Sequence, residues 1–108
     1  MERERLRELC AAYRGADETY PFGEGTAVYK VGGKMFALVP LDADPPRISL
    51  KCDPEWSEVL RNAYDAVRPG YHLNKRHWNT IVLDGTIAED EVAELIAHSY
   101  GLVAPRGD

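Results

Sequence analysis

The sequence predicts an α+β domain, a mostly antiparallel sheet with helices packed on one face. Three observations carry that prediction. Apolar residues recur every three to four positions near both ends and again over 54–64, the spacing of helices buried on one side. Runs rich in β-branched and aromatic residues lie between, and two of them flank Gly32-Gly33, a pair that accepts the positive φ of a tight hairpin turn. Ile48-Ser49-Leu50-Lys51-Cys52 alternates apolar and polar, the period of a half-buried strand.

The elements follow in order. Glu2 to Arg14 reads as a helix with Leu6, Leu9, Cys10 and Tyr13 on one stripe, closed by Gly15 in a left-handed cap. Ala16 to Gly25 reads as a loop whose Tyr20 and Phe22 plug the edge of the core. Ala27–Val31 and Lys34–Val39 form the hairpin, with Val31 opposite Lys34 and Lys30 opposite Met35, so Lys30 and Lys34 point to opposite faces. Leu41 to Arg47 connects. In the next strand Ile48, Leu50 and Cys52 face inward, Ser49 and Lys51 outward. Asp53-Pro54 starts a second helix as N-cap and first residue, with Trp56, Val59, Leu60, Ala63 and Tyr64 as its stripe.

Pro69-Gly70 breaks the chain before Gly70–Leu83, which is expected to hold two strands, one ending near Asn74 and one beginning near Trp78, with Lys75 and Arg76 at the tip. Asp84-Gly85 turns, and Thr86 and Glu89 have capping-box spacing. A last helix follows on Val92, Leu95, Ile96 and Tyr100, with Gly101 past its end and Leu102 making the apolar contact of the cap. The order is α-β-β-β-α-β-β-α. Residues 1–108 read as one domain, with 104–108 a frayed tail.

With 108 residues, 44% hydrophobic and 29% charged, the chain has enough apolar material for one core without staples. Cys10 and Cys52 form neither a disulfide framework nor a metal-ligand spacing, and free thiols suit a reducing compartment. No apolar run is long enough to cross a membrane and the charged N-terminus is no signal segment, so the expectation is a cytoplasmic protein without membrane partners. The net charge of −5 is uneven: residues 1–29 carry −2, 30–83 carry +2 and 84–108 carry −5. Only the middle segment can offer a basic face to a polyanion.

The runs Pro21-Phe22-Gly23, Val31-Gly32-Gly33-Lys34-Met35-Phe36-Ala37, Leu50-Lys51-Cys52-Asp53-Pro54, Pro69-Gly70-Tyr71-His72-Leu73-Asn74-Lys75-Arg76-His77-Trp78-Asn79 and Ser99-Tyr100-Gly101-Leu102-Val103 closely resemble the bacterial MmcQ/YjbR family over nearly the whole chain. The resemblance implies a CyaY/frataxin-like fold. It also implies the family's label of DNA-binding protein with a "double wing" arrangement, a label resting on shape, and fold alone does not fix function.

The residues most suited to nucleic acid are Lys34, Lys51, His72, Asn74, Lys75, Arg76, His77 and Trp78, since phosphates take Lys and Arg while bases stack on aromatic rings. The plain alternative makes Tyr71 and Trp78 core aromatics and Lys75 and Arg76 ordinary turn charges. The last helix carries Glu89, Asp90, Glu91 and Glu94 and repels phosphate, so contacts come from strands or hairpin tips. The same surface could instead take an anionic small molecule or a protein, with Arg76 giving bidentate contacts. No enzyme is expected: neither cysteine sits beside a base, and Gly32-Gly33 lacks a phosphate-loop pattern. No cofactor or metal is expected either, because His72, His77 and His98 do not share ligand spacing and the first helix interleaves Arg3, Arg5 and Arg7 with its acids.

Overall fold

The computed structural model describes residues 1–105. Among them the chain runs α1 (Arg3–Ala11), β1 (Asp17–Thr19), β2 (Thr26–Val31), β3 (Lys34–Pro40), β4 (Arg47–Lys51), α2 (Pro54–Ala63), β5 (Val67–Pro69), β6 (Trp78–Val82) and α3 (Glu89–Val103). The strands form one antiparallel sheet in the order β1-β2-β3-β4-β6-β5. The α+β prediction holds, with one strand more than expected.

The extra strand is β1, inside the expected loop. Three residues pair with β2, and Thr19 Oγ1 donates to the Val28 carbonyl at 2.9 Å. Glu18 then anchors the edge: it accepts from Tyr20 and Tyr29 hydroxyls, both at 2.6 Å, and from the Arg7 guanidinium of α1. These bonds to the charged form, Tyr20 first and Tyr29 next, hold the Glu18 carboxyl below the usual carboxylate range. A depressed folded-state pKa means stability that is present above the ordinary value and lost as pH falls through the folded one. Glu18→Gln should therefore flatten the fall of melting temperature between about pH 6 and pH 3. An unchanged slope in thermal melts across that range would remove Glu18 from the acid response.

The helices lie on one face. Leu6 and Cys10 of α1 and Val92, Leu95 and Ile96 of α3 pack on Ala27, Tyr29, Ile48, Leu50 and Ile81. Each such fully buried Ile or Leu contributes about 1.5–3 kcal/mol over leaving it in water. The cross-strand register places Val28, Leu38, Ser49 and Thr80 side by side on the opposite face. A smaller cluster of Val28, Leu38 and Trp78, with Met35 and Leu73 against it, sits there. Among the described residues no helix covers this second, open face.

The hairpin register comes out as expected, Val31 opposite Lys34 and Lys30 opposite Met35. A bulge intervenes: Tyr29 pairs with Ala37, leaving Phe36 as the extra residue. Phe36 and Ala37 both enter the helix-side core, where Phe36 meets Tyr100 edge-on at 5.3 Å. The bulge also parts β3 from β4. Ser99 of α3 fills the gap, its hydroxyl accepting from Lys51 N–H at 2.9 Å and donating to the Phe36 carbonyl at 2.5 Å.

Several local expectations are corrected. The first helix ends at Ala11, although Gly15 does take positive φ. In α2, Ser57 is buried while Val59 and Ala63 are exposed, because Ser57 Oγ bonds the side chain of buried Asn79. Asp53 caps α2 as expected, accepting from Glu55 N–H. The strand paired with β6 is β5, which ends at the expected break at Pro69-Gly70 rather than near Asn74, and 70–77 forms the loop. Thr86 does not cap α3: both its N–H and hydroxyl bond Asp84, and Ala88 holds the cap position. Gly101 lies within α3 and Leu102 is exposed, since the helix runs on to bury Val103. Of the tail, 106–108 lie outside the described residues.

Candidate functional site

The open face carries the chemistry. Its outward-pointing positions include Lys30 on β2, Arg47 and Lys51 on β4 and Arg68 on β5, set against Asp17 on β1. The helix face carries the acids instead, with Glu89, Asp90 and Glu91 in the first turn of α3. In a chain of net charge −5 the open face is thus locally basic, while the helix side mixes these acids with Arg3, Arg5 and Arg7 of α1. Among the described residues the ion pairs gather at the N-terminal end, and none involves Lys30, Arg47, Lys51, Arg68, Lys75 or Arg76.

Two loops from opposite edges of the sheet reach over this face. The β1–β2 loop presents Phe22, which is 64% exposed rather than plugging the core; Tyr20 is exposed beside it. The β5–β6 loop presents Tyr71, 62% exposed. Tyr71 is fixed by its own N–H, which donates to Thr80 Oγ1 at 3.1 Å, and Thr80 shares a 2.8 Å hydrogen bond with Ser49 below. The Arg47 guanidinium lies 5.5 Å over the Tyr71 ring, a cation–π contact. His72 follows in left-handed backbone at φ 59°, an uncommon conformation for a residue with a Cβ. Its ring centroid is 4.1 Å from that of Tyr71. The β5–β6 loop therefore shows two adjacent rings to solvent.

These parts enclose a cleft of about 300 Å³, lined by Phe22, Leu38, Arg47, Ser49, Tyr71 and His72 among others. Asp42 stands on its rim. On the other side of Tyr71 a cleft of about 160 Å³ brings Arg47 and Arg68 together over Thr80 and Val82. A flat apolar slot beside a pair of guanidiniums suits a planar group attached to an anion.

The sequence-predicted residues divide. Lys51 and Trp78 sit side by side on the open face, the ammonium 5.9 Å from the indole centre, but Trp78 is only 6% exposed and packs with Val28 and Leu38. His72 joins the larger cleft. Lys34 is turned to the helix side, and Lys30 takes the place on the open face that Lys34 was expected to fill. Asn74 shapes the loop: its side chain accepts from Arg76 N–H at 2.9 Å and its carbonyl from the N–H groups of His77 and Trp78. Lys75 donates to the Gly70 carbonyl at 2.9 Å. Arg76 and His77 turn toward α2, Arg76 beside Glu55 and Glu58, His77 beside Asp53 and Pro54. The Lys75-Arg76 tip is thus not one cationic point.

Arg47, Tyr71, Phe22, Lys30 and Arg68 are the residues of this face that were not among the sequence-based candidates. One signal was there: Arg47, Ser49 and Lys51 share the outward phase of one strand. His98, weighed above as a metal ligand, has another task. Its Nε2 accepts from Asp53 N–H at 3.1 Å, and burial lowers its pKa, so the neutral ring braces the start of α2. Among the described residues no three His, Cys, Asp or Glu side chains gather around a common point.

Comparison with known proteins fits this geometry. The YjbR family model matches residues 11–102. The uncharacterized protein YjbR of Escherichia coli is 37% identical over 95 residues, covering 88% of this chain and 80% of that protein. The uncharacterized protein YbdF of the same species is 39% identical over 100 residues, covering 93% and 82%. Among solved structures, a Deinococcus radiodurans protein with the DUF419 domain superposes with a TM-score of 0.89 at 44% identity, over 97% of this chain and 80% of that one. A match that spans both edge loops, the bulged hairpin and α3 leaves the assignment in no doubt: the chain belongs to the YjbR family.

Proposed function

We propose that this protein binds nucleic acid, DNA first among the candidates, through the open face of its sheet and the two loops that overhang it, and that it does so without catalysing a reaction. One observation carries the reading. Basic side chains and exposed rings scattered in sequence from Phe22 to Arg68 to Tyr71 converge on the sheet face that no helix of the described residues covers, where Asp17 and Asp42 are the nearby acids, while the acidic first turn of α3 lies on the other side. Backbone phosphates supply affinity for Lys and Arg, and stacking rings supply sequence-tolerant contact with bases.

The thiols support a binding rather than a catalytic role. Burial pushes Cys10 up to about 12 and also raises Cys52, so neither offers a thiolate nucleophile. A cytoplasmic location goes with this reading, and two free buried cysteines suit it. No helix of the described residues is long and apolar enough to cross a membrane.

Fluorescence anisotropy at low salt, with a labelled single strand and a labelled duplex, tests the proposal. Binding should weaken as salt rises, and Arg47→Glu and Lys51→Glu should each reduce the slope of log affinity against log salt by about 0.7–0.9. No binding to either polymer at tens of micromolar protein would defeat it. A small anion that binds more tightly than any polymer would favour a metabolite-binding module on the same surface.

A further inference from the structure

We infer that the paired clefts around Tyr71 form a seat for one unpaired nucleotide, which makes single-stranded nucleic acid the preferred ligand of the open face. The inference rests on the nucleic-acid reading and goes further, assigning the base to one cleft and its phosphate to the other.

The larger cleft is shaped for a flat heteroaromatic ring. Phe22 and Tyr71 reach it from opposite edges of the sheet, and its floor is Leu38 and Ser49. Both rings are already exposed, so stacking on them displaces water and leaves the protein core untouched. At about 300 Å³ the cleft is large enough for one planar base. A base inside a duplex presents only its edge, and its faces become available only when it is splayed out of the stack.

Polarity sets the orientation. Asp42 on the rim of the larger cleft repels phosphate and accepts from the amino or imino donors of a base edge. Ser49 adds a hydroxyl on the floor, hydrogen-bonded only to Thr80 Oγ1, which already accepts from Tyr71 N–H. The smaller cleft has the opposite character, with Arg47 and Arg68 both facing it. Phosphate therefore belongs on the Arg47–Arg68 side of Tyr71 and the base on the Phe22 side. Arg47 lines both clefts and can hold the phosphate while it stacks on the Tyr71 ring. The backbone held in left-handed conformation at His72 keeps its ring next to Tyr71, inclined 53° to it, where it forms a side wall of the cleft.

The test compares four ligands by anisotropy or competition on the full chain at low salt: a mixed-sequence single strand of about twelve nucleotides, the same strand as a duplex, an abasic strand of equal charge, and a free 5′-mononucleotide. The single strand should bind at least about tenfold more tightly than the duplex or the abasic strand. Phe22→Ala and Tyr71→Ala should each weaken single-strand binding roughly 5- to 150-fold while leaving the residual duplex affinity within about twofold. Tyr71→Phe should retain most of the affinity, because the ring and not the hydroxyl is required. Circular dichroism and thermal melts confirm that these surface variants fold, and Val59→Ala on the exposed side of α2 serves as a neutral control. Equal affinity for strand, duplex and abasic strand would overturn the nucleotide seat while leaving polyanion binding by the open face intact. A mononucleotide that binds as tightly as the strand would overturn the polymer preference. Failure of every polymer to bind would bring down both this inference and the reading beneath it.

Discussion

Gly70→Ala is expected to lower the melting temperature more than any other single methyl addition in the β5–β6 loop. A Cβ at this position would lie 2.7 Å from the Trp78 Cβ, 3.0 Å from the Trp78 carbonyl and 3.2 Å from the Leu73 Cβ. The first two neighbours are backbone or the root of a side chain and cannot swing aside. Gly70 N–H also donates to the Trp78 carbonyl at 2.8 Å, so the ladder itself must open to admit the methyl. Overpacking of this kind costs about 1–3 kcal/mol. In a domain near 100 residues each kcal/mol moves the midpoint by roughly 4–8 °C. Gly25→Ala is the control, because nothing lies within 4 Å of its added Cβ and its backbone needs no positive φ. Equal melting temperatures for the two variants would show that the loop yields where the packing says it cannot.

Arg61→Ala is the second large effect. Arg61 projects from α2 and holds the far side of the same loop. Its Nε donates to Asn79 Oδ1 at 2.7 Å, and its Nη2 donates to the Trp78 carbonyl at 3.1 Å and to the Lys75 carbonyl. Removing the guanidinium leaves Asn79 Oδ1, on a buried side chain, without its donor and the Trp78 carbonyl with Gly70 N–H alone, at a cost of about 1.5–3 kcal/mol for bonds from a charged donor. Arg61→Lys should rescue little, since a single ammonium cannot reproduce the planar fork. Chemical denaturation measures the loss. Hydrogen exchange should show faster exchange at His77 and Trp78, whose N–H groups close on the Asn74 carbonyl. Unaltered exchange there would mean that Asn74 alone keeps the loop shut.

These two residues also mark where the sequence stops being legible. Elements with one apolar face and a clear period, such as α3 and the strand from Ile48, can be read directly, because burial on a single side writes its period into the residue types. β2 cannot, since Ala27, Val28 and Tyr29 are all buried and alternation vanishes in a strand covered on both faces. For that reason the hairpin register separated Lys30 from Lys34 correctly, yet nothing local showed which of them faces away from the helices. Ser57 was missed in α2 for a different reason. Its burial reflects the partner it gives Asn79, twenty-two residues away, and no stripe of apolar types records such a bond. The site was half legible. The basic and aromatic character of 70–78 stood out, but α2 draws Arg76 and His77 away, and the residues replacing them, Arg47 and Phe22, come from segments far off in the chain.

The serine that mends the bulge has a consequence for how the molecule comes apart. The sheet consists of two sequence-local halves, the meander β1-β2-β3 and the trio β4-β6-β5, and they meet only where β3 pairs with β4. Such halves would ordinarily be separate units of opening, each free to detach while the other persists. Ser99 Oγ lies in that seam with one bond to each half, and it belongs to the helix that packs over both. Parting the halves thus requires α3 to lift away, and lifting α3 exposes the core of each. The seam thus joins the two halves into one cooperative unit, and the open face they share is held as a single platform.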